Sequence, residues 1–197
     1  MQYELLAALI TFAFASSITP GPNNMMLLAS GANFGFKRTI PHMLGISLGH
    51  ALMVFLVGIG LAQIFSAFPI LKQIMQVVAA IYMIWLAWKI ANSAPASSEE
   101  AKGSPLTFAQ AAAFQWVNPK AWGMALTAVT AYAPGDTVFA MVLVAVTFAS
   151  VNLPSVSVWT VLGQQMQRFL TDTRRLRAFN RTMAALLVGS LVFVIGN

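Results

Sequence analysis

Two short polar stretches interrupt long apolar runs in this sequence, and both combine proline with asparagine. The first stretch consists of Pro20, Gly21, Pro22, Asn23 and Asn24. The second consists of Asn118, Pro119 and Lys120. Because proline removes a backbone N–H and clashes with the preceding helical turn, each stretch is expected to break a helix.

A helix that restarts after such a break has a specific chemistry. The Asn118 side chain is predicted to cap one new helix, and Asn23 is predicted to cap another. Each restarted helix would point a positive N-terminal end with free amides inward, where it can bind an anion. Two such ends in one cavity predict a carboxylate site, with Lys120 adding a positive charge and the amides of Asn23, Asn24 and Asn118 as ligands. The alternative interpretation is a pair of packing kinks without a site.

Two further polar residues lie inside apolar segments. His50 is a candidate carrier of a coupling proton, because imidazole titrates near physiological pH; the alternative is a neutral histidine hydrogen-bonded across a helix interface. Asn152 is a candidate cavity-lining amide, and with Pro154 it predicts a third kink. No Asp or Glu lies well inside an apolar segment, so we expect a zwitterionic or neutral ligand and neither a metal nor a cofactor.

The composition predicts an integral membrane protein. The chain has 197 residues, of which 58% are hydrophobic and only 8% are charged, whereas a soluble domain carries about 25% charged residues. The net charge is +6, but the basic residues lie at the ends of apolar segments, so nucleic-acid binding is not expected. The first apolar segment lacks a basic start and carries Glu4, which favours a membrane helix over a signal peptide.

The fold class predicted is all-α, with six membrane helices in a single domain over residues 1–197. The six apolar segments cover about 3–34, 39–65, 70–91, 106–131, 137–162 and 179–195. A polar linker, 92–105, separates a first repeat of about 1–91 from a second of about 106–197. Because each repeat has three spans and begins with a broken one, the two repeats are expected to be inverted relative to each other, with a binding site between them.

The basic residues also predict an orientation. With the N-terminus outside, the inner loops hold Lys37, Arg38, Lys89, Lys102, Arg168, Arg174, Arg175, Arg177 and Arg181, and the outer loops hold only Lys72 and Asp136. This distribution favours both termini outside the cytoplasm. The alternative has five spans with a re-entrant first segment, and it would move the N-terminus to the cytoplasm.

Several motifs together resemble one transporter superfamily. The block "TPGPNN" followed by "GFKRTIPHMLGISLGH", then "YMIWLAWKIANS" and "FQWVNPKAW", is similar in order and spacing to the lysine exporter/homoserine–threonine exporter (LysE/RhtB) superfamily. The branch that exports cysteine and O-acetylserine is the nearest in these motifs. The resemblance covers nearly the whole chain and is weakest in its last third.

The resemblance implies proton-driven export of amino acids or close derivatives across a bacterial inner membrane. In this chain, Pro20, Gly21, Pro22 and Asn23 match the first family motif, and Asn118, Pro119 and Lys120 match the second. The expected partners are membrane lipid and a small amino-acid substrate, of the cysteine/O-acetylserine or homoserine/threonine type, with a homo-oligomer left open.

Other function classes are weighed against this exporter with alternating access. A passive channel would tolerate the same broken helices and is the main alternative. An intramembrane enzyme is disfavoured, because no H-E-x-x-H or G-x-S-x-G motif and no paired intramembrane aspartates occur. A membrane scaffold without transport would not need Asn118.

Overall fold

The structure is a computed structural model that describes residues 3–68, 70–93 and 103–190. Within these ranges every regular element is helical. The middle of the predicted linker, 94–102, and the end of the sixth predicted segment, 191–195, lie outside the described residues. The all-α prediction is therefore confirmed for the described part of the chain.

The helices follow one another with short connections. In chain order they are α1 (Tyr3–Ile18), α2 (Pro22–Leu56), α3 (Ala62–Ala67), α4 (Ile70–Ala91), α5 (Phe108–Val117), α6 (Pro119–Tyr132), α7 (Val138–Met166) and α8 (Thr173–Gly189). A π-helical turn, Val57–Leu61, joins α2 to α3.

Both predicted breaks are present. The first separates α1 from α2, which has Pro22 in its first turn, and the second separates α5 from α6, which begins at Pro119. A third break lies inside α2 at Gly35, whose φ of 76° and ψ of 172° are not helical. A positive φ of this size favours glycine, and Gly35 falls between the first two predicted segments. We refer to residues 22–34 as the first half of α2.

One sequence expectation differs from the structure, and another is met only in part. Helix α7 continues through Asn152 and Pro154 without a break, packed on α1 and α2, and the kink expected there stays a prediction. The sixth segment was expected to begin near residue 179, but α8 begins at Thr173, where Asp172 accepts a hydrogen bond of 3.0 Å from the Arg174 amide. An aspartate cap followed by arginines, which favour helix, extends α8 into the basic stretch.

Three helical stretches of the described chain are long and apolar enough to cross a membrane, namely Pro22–Leu61, Gln73–Ala91 and Val138–Met166. Helix α1 is apolar but shorter, and α5 and α6 have only 10 and 14 residues. These helices agree with a membrane protein. The arrangement of six spans in two inverted repeats stays a prediction.

The bundle is organised around α2 and α7. Helix α2 packs most extensively against α7 and next against α5, α1 packs on α7, and α4 packs on α8. The approach of α2 to α7 is very close, because a Cβ on Gly31 would collide with the Thr160 carbonyl oxygen. In the same way, a Cβ on Gly163 would collide with the carbonyl oxygen of Leu28. Helix α2 also contacts α6, and α1 contacts α6, so the two broken segments border one cavity.

Candidate functional site

A polar cavity lies where the two broken segments meet, and we call it the central cavity. Its polar lining comes from α1, both sides of the two breaks, α2 and α7: Ser16, Ser17, Asn23, Asn24, His50, Gln115, Asn118, Lys120 and Asn152. Gly21 also lies on its wall. Seven of the residues predicted for the site are therefore together, although the two stretches are about a hundred positions apart in sequence.

The end of α1 shows how the first break is tolerated inside an apolar bundle. Asn24 Nδ2 donates to the carbonyl oxygens of Ser17 and Thr19, both at 2.8 Å. Trp159 Nε1, from α7, donates to the Ile18 carbonyl at 3.0 Å. Since a buried carbonyl without a donor costs several kcal/mol in a membrane, these side chains replace the helical hydrogen bonds that the break removes.

Lys120 contributes to the same task from the second break. Its Nζ donates to the Thr19 carbonyl at 2.7 Å, to Thr19 Oγ1 at 3.0 Å and to the Pro20 carbonyl at 3.2 Å. The ammonium group therefore lies at the negative, C-terminal end of α1, where a cation is electrostatically favourable. Lys120 joins the two breaks directly and still lines the central cavity.

One of the two predicted helix caps is confirmed and the other is wrong. Asn118 Oδ1 accepts a hydrogen bond of 3.2 Å from the Lys120 amide and caps α6. The cap residue of α2 is Gly21, with no side-chain hydrogen bond, and not Asn23. The Asn23 amide instead pairs with Gln115 across the cavity, at 2.8 Å and 3.1 Å. The cap position of α2 therefore lies before Pro22, at a glycine, two residues earlier than the predicted cap.

Two side chains at the cavity keep unused hydrogen-bonding groups. Neither ring nitrogen of His50 has a partner among the described residues, and the same holds for Asn152 Oδ1. Asn152 Nδ2 donates to Ser17 Oγ at 2.9 Å, and the His50 ring packs edge-on against Phe148 with centroids 4.8 Å apart. The expected alternative for His50, a hydrogen bond across a helix interface, is not found. Buried groups of this kind usually hold water or a ligand.

The prolines lie away from these groups. Pro20, Pro22 and Pro119 line a groove on the other side of the breaks, beside α8. They shape the backbone of the site without facing the central cavity. Ser17 and Gln115 were not predicted as site residues from the sequence. The only feature of the sequence that could indicate a role for Gln115 is its place three residues before Asn118.

The central cavity contains very little free space. About 20 Å³ inside it is open to the centres of water-sized spheres, which is room for about one water. An amino acid cannot enter this space without a movement of the surrounding helices. The unused acceptor of Asn152, the imidazole of His50 and the N-terminal ends of α2 and α6 are the groups that a ligand would meet.

Comparison with known proteins gives a consistent result. Relatives named cysteine/O-acetylserine efflux protein come from Salmonella typhimurium (33% identical) and Escherichia coli K12 (31% identical). Each match spans 191 residues, which is 95% of this chain and 96% of the relative. No solved structure is significantly similar. Residues 14–196 match the family described as LysE type translocator. This match confirms the resemblance of the motifs, and the chain belongs to the LysE translocator family.

Proposed function

We propose that this protein exports small zwitterionic amino acids or close derivatives and binds them in the central cavity. The substrate carboxylate lies at the N-terminal ends of α2 and α6, where first-turn amides have no partner within their own helix. The substrate ammonium donates to Asn152 Oδ1, an acceptor without a partner among the described residues. The names of the relatives make cysteine and O-acetylserine the first substrates to test.

The observation that carries this proposal is the convergence of both breaks on one polar cavity. Among its lining residues Lys120 is a cation and none is a carboxylate. A purely cationic substrate would meet the Lys120 charge without a counter-charge, whereas a zwitterion offers a carboxylate to the helix ends and an ammonium to Asn152. The site therefore fits a zwitterion better than a cation.

We also propose alternating access between two inverted three-helix repeats. The two breaks lie at corresponding places, and the pairs α2 with α7 and α4 with α8 are the packing partners that two related repeats would form. Gly35 divides Pro22–Leu61 unequally. The part after Gly35 is about 39 Å long and suits one crossing of an approximately 30 Å core, whereas the first half of α2, about 20 Å long, would cross it only together with α1.

Proton coupling is proposed for His50, which faces the central cavity with both ring nitrogens unpartnered among the described residues. A proton on His50 and a bound substrate would compete for the same small cavity. Such competition is what exchange of a proton for a substrate molecule requires. We place the protein in a bacterial inner membrane, with both termini outside the cytoplasm.

Counterflow in proteoliposomes tests the transport mode. Vesicles loaded with unlabelled substrate are expected to accumulate labelled cysteine, O-acetylserine, homoserine or threonine against its gradient. This exchange identifies a carrier, because a passive channel would only equalise concentrations. An absence of counterflow for every member of the panel would contradict the exporter.

The Asn152→Ala variant tests the site. We expect it to raise the half-saturating substrate concentration about tenfold, since it removes the acceptor for a charged donor. Ser150→Ala is the matched control, because Ser150 is exposed on the same helix and bonds only to its own turn, at the Val146 carbonyl. Equal affinities of Asn152→Ala and the wild type would refute the assignment of the ammonium site.

A further inference from the structure

A second polar cavity lies at the end of the bundle where α4 ends and the linker begins, and we call it the linker-side cavity. It lies between α2 on both sides of Gly35, α4 and the segment just before α5. Its polar lining is Ser30, Asn33, His42, Lys89, Ser93 and Ser104. About 30 Å³ inside it is open to the centres of water-sized spheres. None of the residues predicted to form the substrate site lies here.

His42 is the residue that indicates a ligand. Its side chain is 1% exposed, and neither ring nitrogen has a partner among the described residues. A buried polar group without a hydrogen bond is costly, so such groups usually have a water or ligand beside them. His42 lines the linker-side cavity, so a ligand in this cavity could bond to its ring.

The neighbouring polar groups are mostly engaged already. The hydroxyl of Ser30 bonds to Thr39 Oγ1 at 2.9 Å, and Asn33 exchanges two hydrogen bonds with Asn180, at 2.7 Å and 3.0 Å. The Lys89 ammonium makes a cation–π contact with Trp85, 5.7 Å from the ring centroid, and no ion pair within the described ranges. Among the nitrogen donors of the described lining, the Lys89 ammonium and the His42 imidazole are left for a ligand.

These two groups select the charge of the ligand. Lys89 is a cation, and no carboxylate is present among the described residues that line the cavity. A neutral imidazole can donate one hydrogen bond, and an ammonium can donate three. The linker-side cavity therefore favours a small anionic group, and a carboxylate fits its size and its donors.

An apolar layer separates the linker-side cavity from the central cavity. His42, Ile46 and His50 lie one turn apart on one face of α2, and Ile46 is fully buried. The apolar cluster around Ile46 includes Met26, which lines the linker-side cavity, and Val156, which lines the central one. The two polar cavities are thus about 12 Å apart along α2, with a dry layer between them.

We propose that the linker-side cavity is a loading site, where Lys89 and His42 bind the substrate carboxylate before the substrate passes the Ile46 layer. This inference rests on the proposed export function and on the linker facing the cytoplasm. An exporter takes its substrate from the cytoplasmic side, and the loading site lies at that end of the bundle.

Transport measured from each face separately tests the loading site. We expect Lys89→Gln and His42→Ala to raise the half-saturating concentration about tenfold for substrate offered at the linker face, and to leave the opposite face unchanged. Lys37→Gln is the matched control, since Lys37 is an exposed lysine just after Gly35 that does not line the linker-side cavity. An equal effect on both faces, or none, would overturn the proposal.

A second measurement does not depend on transport. The chain has no cysteine, so Ser93→Cys places a single thiol in the cavity wall. We expect a negatively charged methanethiosulfonate to modify it faster than a positively charged one, and this preference to disappear in the double variant with Lys89→Gln but not with Lys37→Gln. If the wild type transports no amino acid, the exporter proposal fails, but a faster reaction with the negative reagent would still support an anion site in this cavity. Equal rates for both reagents would refute the anion site itself.

Discussion

The role of Lys120 combines two tasks that are usually separate. Its ammonium holds the exposed end of α1 through Thr19 and Pro20, and the same side chain lines the cavity where a substrate carboxylate is proposed to bind. A cation whose donors are occupied by carbonyls still contributes its charge to the cavity. The same Lys120 side chain therefore stabilises the first break and supplies the positive charge of the site.

We expect Lys120→Met to lower the stability of the protein by about 1 kcal/mol, because the Pro20 carbonyl loses a donor while Asn24 still serves Thr19. Efflux should fall at the same time, because the site loses its positive charge. Thermal unfolding in detergent and vesicle efflux measure the two effects, with Lys37→Met as the control. Normal efflux by a correctly inserted Lys120→Met protein would refute the role of its charge.

The residues that could be predicted from the sequence are those with local partners. Asn118 was predictable as a cap because the amide that donates to its side chain belongs to Lys120, only two positions later in the chain. The role of Asn23 was not predictable, since its partner Gln115 lies 92 positions away. The unused groups of His42 were missed for the same reason, because burial without a partner is a property of packing and not of sequence pattern.

At the scale of elements, the close approach of α2 and α7 positions the central cavity. Gly31 faces the backbone of Thr160, and Gly163 faces the backbone of Leu28. Backbone atoms cannot move aside as a flexible side chain can, so even one methyl group would separate the helices. Asn152 on α7 and His50 on α2 would then move apart, and the cavity would lose its shape.

We expect Gly31→Ala to destabilise the protein by about 1–3 kcal/mol, as overpacking in a tight interior does. Gly123→Ala is the control, because Gly123 lies in α6 with no atom near the position of an added Cβ. This control should be neutral or stabilising by about 0.5–1 kcal/mol, since alanine favours helix over glycine. Thermal unfolding of both variants in the same detergent measures the difference, and equal stabilities would contradict the close packing.

The elements themselves were predictable to different degrees. Proline beside glycine and asparagine broke the first and fourth segments as expected, but Pro154 alone did not break α7. One proline removes one hydrogen bond, which long packing contacts can compensate. Two prolines around Gly21 leave no helical continuation, and at the single Pro119 the preceding Asn118 has extended backbone and caps a new helix. The start of α8 differs from the prediction because a cap at Asp172 extends the helix into the basic stretch, which is polar and lies outside the apolar segment.

At the scale of the whole molecule, the charges at the two ends of the bundle determine its proposed orientation. The loop between α7 and α8 precedes a run of four arginines, while the loop between α6 and α7 carries Asp136 and no cation. Helix α7 has 29 residues, about 44 Å, which exceeds the approximately 30 Å hydrocarbon core. The two loops must therefore lie at opposite faces if α7 crosses the membrane.

Single cysteines in the cysteine-free chain test this orientation. Asp136→Cys and Thr171→Cys change exposed residues in the two loops. We expect a membrane-impermeant maleimide to label Asp136→Cys in intact spheroplasts and Thr171→Cys only after permeabilisation, because basic loops are retained in the cytoplasm. The reverse pattern would place the linker-side cavity outside the cytoplasm, and the loading site would then have to be an exit. Labelling of both variants in intact cells would show that α7 does not span the membrane, and the six-span arrangement would be wrong.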